Sequence, residues 1–435
     1  MAHFGVVAPA FYSHFSALSA LAGELAQRGH RVSFVHQPDA SAYVRDPRAG
    51  FHAVGAATHP PGTLETVLRR AANPGGPLGL RRVILDMAGS TDMLCRELPR
   101  AIDALGIDAI IADQMEAAGG LVAEGLGLPF VSVACALPVN REPGIPLAVM
   151  PFDYAEDERT RNIYEGSTRV YDWMMSPHRR SIAANARRLG LSERDALHEC
   201  LSPLAQVSQT ISAFDFPRRA LPPHFHHVGP LRPTGAHAAS ANRHFMPAIA
   251  AGKPFVFASL GTMQGGRLAL FKRIAHACRS LDAQLLVAHC GGLNARQERA
   301  LEAAGATWVC AFADQQAVLA RADAVVSHAG SNTVMDAIAA RTPILALPIA
   351  FDQPGTAARI VHAGIGLKAS ARFTGSAHLA RLLRRLLDED GFRTRLDALG
   401  DSLAGAGGTL RAADIIEAAL PGARRPLAMD AASLG

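Results

Sequence analysis

Two groups of residues have the types and spacing to carry chemistry. The first lies between Ala324 and Ile360, in AVVSHAGSNTVMDAIAARTPILALPIAFDQPGTAARI. Apolar, β-rich residues 324–327 end at His328, and Gly330 permits a sharp turn. Ser331, Asn332 and Thr333 are residue types that open helices. Val334, Ala337, Ile338 and Arg341 follow at helical spacing. A second strand, Ile344–Pro348, runs into a loop carrying Asp352 and Gln353, and Thr356 opens another helix. A helix N-terminus presents unpaired N–H groups and the positive end of the helix dipole, so it favours phosphate. Glycine lets the phosphate approach, and His328 and Ser331 can add donors. Asp336, one turn into the helix, is placed to accept from the two adjacent hydroxyls of a ribose. It also completes a near capping box with Thr333, a compatible role. Asp352 and Gln353 offer the acceptors and donors that a sugar needs. The unit reads as a nucleotide-sugar site.

The second group is His14 and Asp113. His14 stands where the first strand meets a helix N-terminus, whose dipole opposes protonation and keeps the imidazole available as a base. Asp113 ends the strand at Ile107–Ala112. In an open parallel sheet the carboxyl ends of all strands face one crevice, so the two side chains share an edge and can pair. The plainer roles are a loop histidine and a helix N-cap.

The elements that must position these groups are legible from punctuation. Strands are expected at 3–9, 31–36, 107–112, 128–133 and 204–211, with a helix over 16–28. The first turn, Ala10-Phe11-Tyr12-Ser13-His14, lacks the Gly-x-Gly-x-x-Gly of a dinucleotide-binding domain. Residues 59–103 suggest a Pro-rich turn and separate helical pieces, and 156–200 suggest helices with an Arg-rich solvated face. A second series of strands, at 254–259, 284–289, 307–311 and 323–328, is followed each time by an unusual turn. These turns carry Gly261 and Thr262, then Gly291 and Gly292, then Phe312 and Gln315, then the opening stretch. Polar groups and glycines thus collect along one crevice, as an α/β ligand site requires.

A chain of 435 residues is long enough for two domains, and a hydrophobic share of 49% excludes disorder. A net charge of +5 without a basic run excludes nucleic acid as the expected partner. The 6 cysteines form no Cys-x-x-Cys pair, which suits reduced thiols and a cytoplasmic location. Neither a signal peptide nor a membrane-spanning run is expected. His224, His226 and His227 cluster without a metal-ligand pattern and are expected to be structural. Serine-hydrolase, phosphate-loop and zinc-helix motifs are absent.

His328-Ala-Gly330-Ser-Asn332-Thr333, the acidic Asp336, Thr342-Pro343 and Asp352-Gln353 stand in the order of a known signature. The stretch resembles the donor-binding region of UDP-sugar-dependent glycosyltransferases of the GT-B fold. The segments TDMLCRELP, SVACALPVNREPGIPLAVMPF, FASLGT and LLVAHCGGL further resemble the bacterial carotenoid glucosyltransferases that act on zeaxanthin. The resemblance implies an α/β fold of two Rossmann-like parallel-sheet domains facing a central crevice. Residues 1–213 would bind the acceptor, 214–252 would form a linker, and 253–409 would bind the donor. A helix within 410–435 would return to the first domain, followed by a tail. The implied reaction is inverting transfer of glucose from UDP-glucose to the hydroxyls of zeaxanthin, giving mono- and di-β-glucoside without a metal or other cofactor. His14 would be the base and Asp113 its partner. His328, Gly330 and the Ser331–Thr333 turn would hold the diphosphate, with Gly261 and Thr262 facing it. Asp336 would hold the ribose, Phe312 and Gln315 the uracil, and Asp352 and Gln353 the glucose. Asp336 stands where the family often has Glu, and the Phe312 loop is shorter than in many plant members. A contact of the Arg-rich helices with anionic lipid, and hence a peripheral place at the inner membrane, is a lesser expectation. The competing readings are transfer to another lipophilic alcohol, such as a polyketide or sterol, and a non-transferring sugar-nucleotide protein such as an epimerase.

Overall fold

A computed structural model of the chain describes residues 1–234 and 245–420. Part of the expected linker and the tail beyond 420 lie outside the described residues. Two parallel sheets organise the rest. The first holds β1 (His3–Val7), β2 (Arg31–His36), β3 (Ala49–Ala53), β4 (Ala109–Asp113), β5 (Phe130–Ala134), β6 (Gln206–Ser208) and β7 (Phe225–His227). Their order across the sheet is β3-β2-β1-β4-β5-β6-β7. The second holds β8 (Phe255–Ser259), β9 (Gln284–Ala288), β10 (Trp308–Cys310), β11 (Ala324–Ser327), β12 (Ile344–Ala346) and β13 (Gly366–Lys368), in the order β10-β9-β8-β11-β12-β13. The central strands β1, β4, β8 and β9 are buried along their whole length, as helix-covered parallel strands must be.

The strand order reverses between β1 and β4 in one sheet and between β8 and β11 in the other. At such a reversal the two connections leave toward opposite faces and open a crevice at the carboxyl ends of the strands. His14 and Asp113 follow β1 and end β4. Gly261 and His328 follow β8 and β11. Both groups singled out in the sequence therefore sit at a switch point.

Several expectations need correction. Phe225–His227 pairs with β6 in the register Gln206↔Phe225, Val207↔His226, Ser208↔His227, so the first sheet continues into the stretch expected as linker. A strand of three residues preceded by prolines carries too short a pattern to be read. The edge strands β3 and β13 were hidden for the same reason: each is short, and each contains a glycine. Residues 77–105 form one helix of 29 residues, Pro99 included, where separate pieces were expected. The helix after β1 begins at Tyr12, so His14 belongs to its first turn.

The domains exchange segments. Ile211 and Phe214, next to the end of the first sheet, are buried in the core of the second domain. In return the last helix, Gly408–Ala419, places Ala412, Ala413 and Ile416 among Leu18, Leu21 and Leu25 of the first helix. Arg28 clamps that docking through Asp414 and Glu417, each at 2.7 Å. All 6 cysteines are free thiols. No described helix is long and apolar enough to cross a membrane.

Candidate active site

Nδ1 of His14 and Oδ2 of Asp113 lie 2.7 Å apart, with the ring donating to the carboxylate. Asp113 is fully buried, and its Oδ1 accepts from the backbone N–H of Met115 at 2.9 Å. Both carboxylate oxygens are fixed, so the proton sits on Nδ1 and the Nε2 lone pair remains as a base. Asp113 does not cap the following helix; Glu116 does, accepting from Ala118. Burial disfavours the charged ring of His14, but the charge and hydrogen bond of Asp113, aided by Asp352, outweigh it and raise its pKa above 6.5. The helix dipole invoked from sequence is thus not the deciding influence. Cys135, buried at the end of β5, brings its sulfur beside the pair, and the three ligand atoms lie within 4.8 Å of one another. An ion entering there would have to open the 2.7 Å contact between His14 and Asp113.

The second switch point is built around His328. A Cβ on Gly261 would come within 2.7 Å of the imidazole, and one on Gly330 within 2.5 Å. Gly261 is also held at φ +73°, where any side chain is strained. The ring is therefore nested between two glycines. Burial pushes its pKa down to about 4 against the raising influence of the Ser259 backbone, so it is neutral at pH 7. The helix Ser331–Ala339 starts beside it with Gly330 as N-cap and no side-chain cap, leaving its first N–H groups open to a ligand. Ser331 Oγ donates to Asp352 Oδ2 at 3.2 Å, and burial raises the pKa of Asp352. The backbone N–H of Leu137 in the first domain also points at that oxygen, at 3.5 Å. Gln353 Oε1 accepts from Ile349 and Ala350, both at 2.9 Å, which fixes the loop and leaves its NH2 as the free donor.

Asp336 is already engaged. Its Oδ1 accepts from Nε and Nη2 of Arg232 at 3.0 and 2.9 Å, and its Oδ2 accepts from Gln315 Nε2 at 2.7 Å. Gln315, expected on uracil, spends its amide on Asp336 and on Thr333. Phe312 is half exposed and Thr262 exposed, both at the cavity wall. Asn332 reaches across the cleft to the carbonyl of Ser13 at 3.4 Å.

One cavity of about 1370 Å³ takes in His14 and every expected donor-side residue. Its first-domain wall includes Leu68, Val83, Ile84, Met174 and Met175. Two lining residues escaped the sequence reading. Arg232 belongs to no motif, being a lone arginine in a Pro-rich stretch. Glu116 accepts from Ser90 and Thr91 at 3.2 and 2.7 Å, and burial pushes its pKa up to about 7. Only the fold brings Arg232 to the site, whereas Glu116 follows Asp113 by three residues in the same loop.

Residues 170–400 match the family model described as UDP-glucoronosyl and UDP-glucosyl transferase. The chain is 54% identical to the zeaxanthin glucosyltransferase of Pantoea ananas over 96% of both chains. It is 48% identical to that of Pseudescherichia vulneris over 97% of this chain and 99% of the relative. Among solved structures, the glycotransferase of kitacinnamycin matches with a TM-score of 0.73 at 21% identity, covering 97% of this chain and 99% of that one. The calicheamicin glycosyltransferase matches at 0.69 and 19%, covering 97% and 98%. At these identities the structures speak for the fold alone.

Proposed function

The chain belongs to the family of UDP-glucuronosyl and UDP-glucosyl transferases, and on that premise we propose that it transfers glucose from UDP-glucose to the hydroxyl groups of zeaxanthin. The observation that carries the reading is the oriented His14–Asp113 pair facing the Ser331–Asp352 side of the same cavity. A protein that only binds a sugar nucleotide has no use for an oriented base across the cleft. The relatives named above, similar over nearly their full length, supply the acceptor.

In this reading the acceptor hydroxyl lies at Nε2 of His14. The ring takes its proton as the oxygen attacks the anomeric carbon from the face opposite UDP. The bond from that carbon to the diphosphate oxygen breaks, and the electron pair leaves with UDP. Inversion follows, giving a β-glucoside. The open N–H groups of the helix at Ser331 and a donated hydrogen from His328 stabilise the leaving diphosphate, so the step needs no metal. Asp352 and Gln353 fix the glucose, and Asp336 binds the ribose. Because zeaxanthin carries a hydroxyl at each end, the monoglucoside can re-enter and become the diglucoside.

The six free thiols suit a reducing cytoplasm, and a peripheral lipid contact would serve an apolar acceptor. The helix Glu158–Met174 exposes Ile163, Val170 and Trp173 beside Arg169, an apolar patch next to a cation. Co-sedimentation with phosphatidylglycerol vesicles, lost in Trp173→Ser, tests that contact; equal recovery of both proteins counts against it.

The function is tested by incubating the protein with UDP-glucose and detergent-dispersed zeaxanthin and weighing the products by mass spectrometry. Mono- and diglucoside are expected. UDP binding without product would remove the acceptor, and absence of UDP binding would remove the donor site.

A further inference from the structure

Arg232 comes from the segment joining the two domains, yet its side chain ends inside the donor site. Its backbone is pinned in both directions to the last helix. The N–H donates to Thr409 Oγ1 at 2.8 Å, and the Thr409 hydroxyl donates back to the Arg232 carbonyl at 2.7 Å. The guanidinium places two donors on Asp336 Oδ1, at 3.0 and 2.9 Å, and a third on the backbone carbonyl of Asn332 at 3.1 Å. With Gln315 at 2.7 Å on Oδ2 and Gln316 at 3.4 Å on Oδ1, the Asp336 carboxylate has little acceptor capacity left for a diol. Asp336 is buried, whereas the Arg232 side chain keeps 24% of its surface and faces the cavity.

We infer that Arg232 is a donor-site residue that exchanges partners: it holds the Asp336 carboxylate in the free protein and passes to the diphosphate when the nucleotide binds. The inference rests on the assignment of Asp336 to the ribose. A ribose diol and the guanidinium compete for the same oxygens. Arg232 is tethered at its backbone and beside Asn332, in the first turn of the helix that receives the diphosphate. A displaced guanidinium therefore finds its nearest anion in that group, and planar Arg–phosphate pairing is strong. Uridine offers no such replacement and must break the Arg232–Asp336 contacts uncompensated. Arg232 thus sets the preference for a nucleoside diphosphate over a nucleoside, and couples donor binding to the linker and last helix.

The test is calorimetric binding of UDP and of uridine to the wild type, Arg232→Met, Arg232→Lys and Asp336→Asn, with melting curves to confirm folding. Arg232→Met is expected to weaken UDP by roughly tenfold or more and to tighten uridine several-fold, collapsing the ratio between them. Arg232→Lys, which keeps the charge without the planar fork, is expected between the two. Should both ligands shift by the same factor in Arg232→Met, the residue is a structural strut and the exchange is overturned. Asp336→Asn separates the premise: unchanged uridine affinity there overturns the ribose assignment and the exchange with it. Weakened uridine in Asp336→Asn with parallel shifts in Arg232→Met overturns the exchange alone.

Discussion

Asp113 Oδ2 lies 2.7 Å from His14 Nδ1 across the point where the first sheet reverses its strand order. The contact fixes the tautomer, raises the pKa of the ring and leaves the Nε2 lone pair free, the atom proposed as the base. Ninety-nine residues of sequence separate the partners. They meet because β1 and β4 are neighbours, in the register Val7↔Ala112.

The pH profile follows from this pair. His14 must be neutral to accept a proton, and its pKa is raised, so activity should fall with acid at a higher pH than for an ordinary imidazole. Asp113→Asn removes the main raising influence, leaving the smaller one of Asp352 against the burial that lowers the pKa. The acid limb of kcat/KM should then move to lower pH while the plateau drops. His14→Ala should lose about two to four orders of magnitude in turnover with UDP affinity unchanged. A limb that stays in place in Asp113→Asn would remove Asp113 from its role.

The two glycines around His328 give a separate prediction. Gly330 has φ −68°, which alanine adopts without strain, but a Cβ there would sit 2.5 Å from the His328 ring. Gly330→Ala should fold, displace the imidazole and weaken UDP by roughly tenfold, the scale of one hydrogen bond to a charged group. Calorimetry reads it directly. Unaltered UDP affinity would show that His328 does not meet the diphosphate.

The domain junction depends on a buried ion pair. Arg359 Nε donates to Asp215 Oδ1 at 2.5 Å, and the guanidinium lies 4.1 Å above the ring of Phe216. Both side chains are at most 2% exposed. Asp215→Ala would strand the arginine and should cost about 3–5 kcal/mol of stability, visible in denaturant unfolding. Asp215→Ala with Arg359→Met should recover much of the loss. A double variant as unstable as the single would mean that the geometry of the segment, not the stranded charge, is at fault.

In the proposed mechanism His328 and a helix N-terminus stabilise the leaving group in place of a divalent ion. Activity should survive EDTA and gain nothing from added Mg2+. Loss on chelation that returns with the ion would overturn the metal-free step.

Most of the proposed donor site is legible because it is local. From His328 to Gln353 a strand, turn, helix, strand and loop follow without interruption, so spacing alone places Ser331, Asp336 and Asp352 near one another. The first half was legible only as two separate loops, and their meeting required the strand order. Short edge strands stayed hidden because three to five residues hold too little periodicity.

What the sequence determined by itself was the alternation of strand, turn and helix, and with it two domains whose polar turns gather at the carboxyl edges. That follows from periodicity and from glycine and helix-opening residues, which act within a few residues along the chain. Only the tertiary structure decided the rest. It set Arg232 on Asp336, nested His328 between Gly261 and Gly330, and sent the last helix into the core of the first domain. These depend on which groups meet after burial, and a lone arginine or glycine carries no sign of its distant partner until packing supplies one.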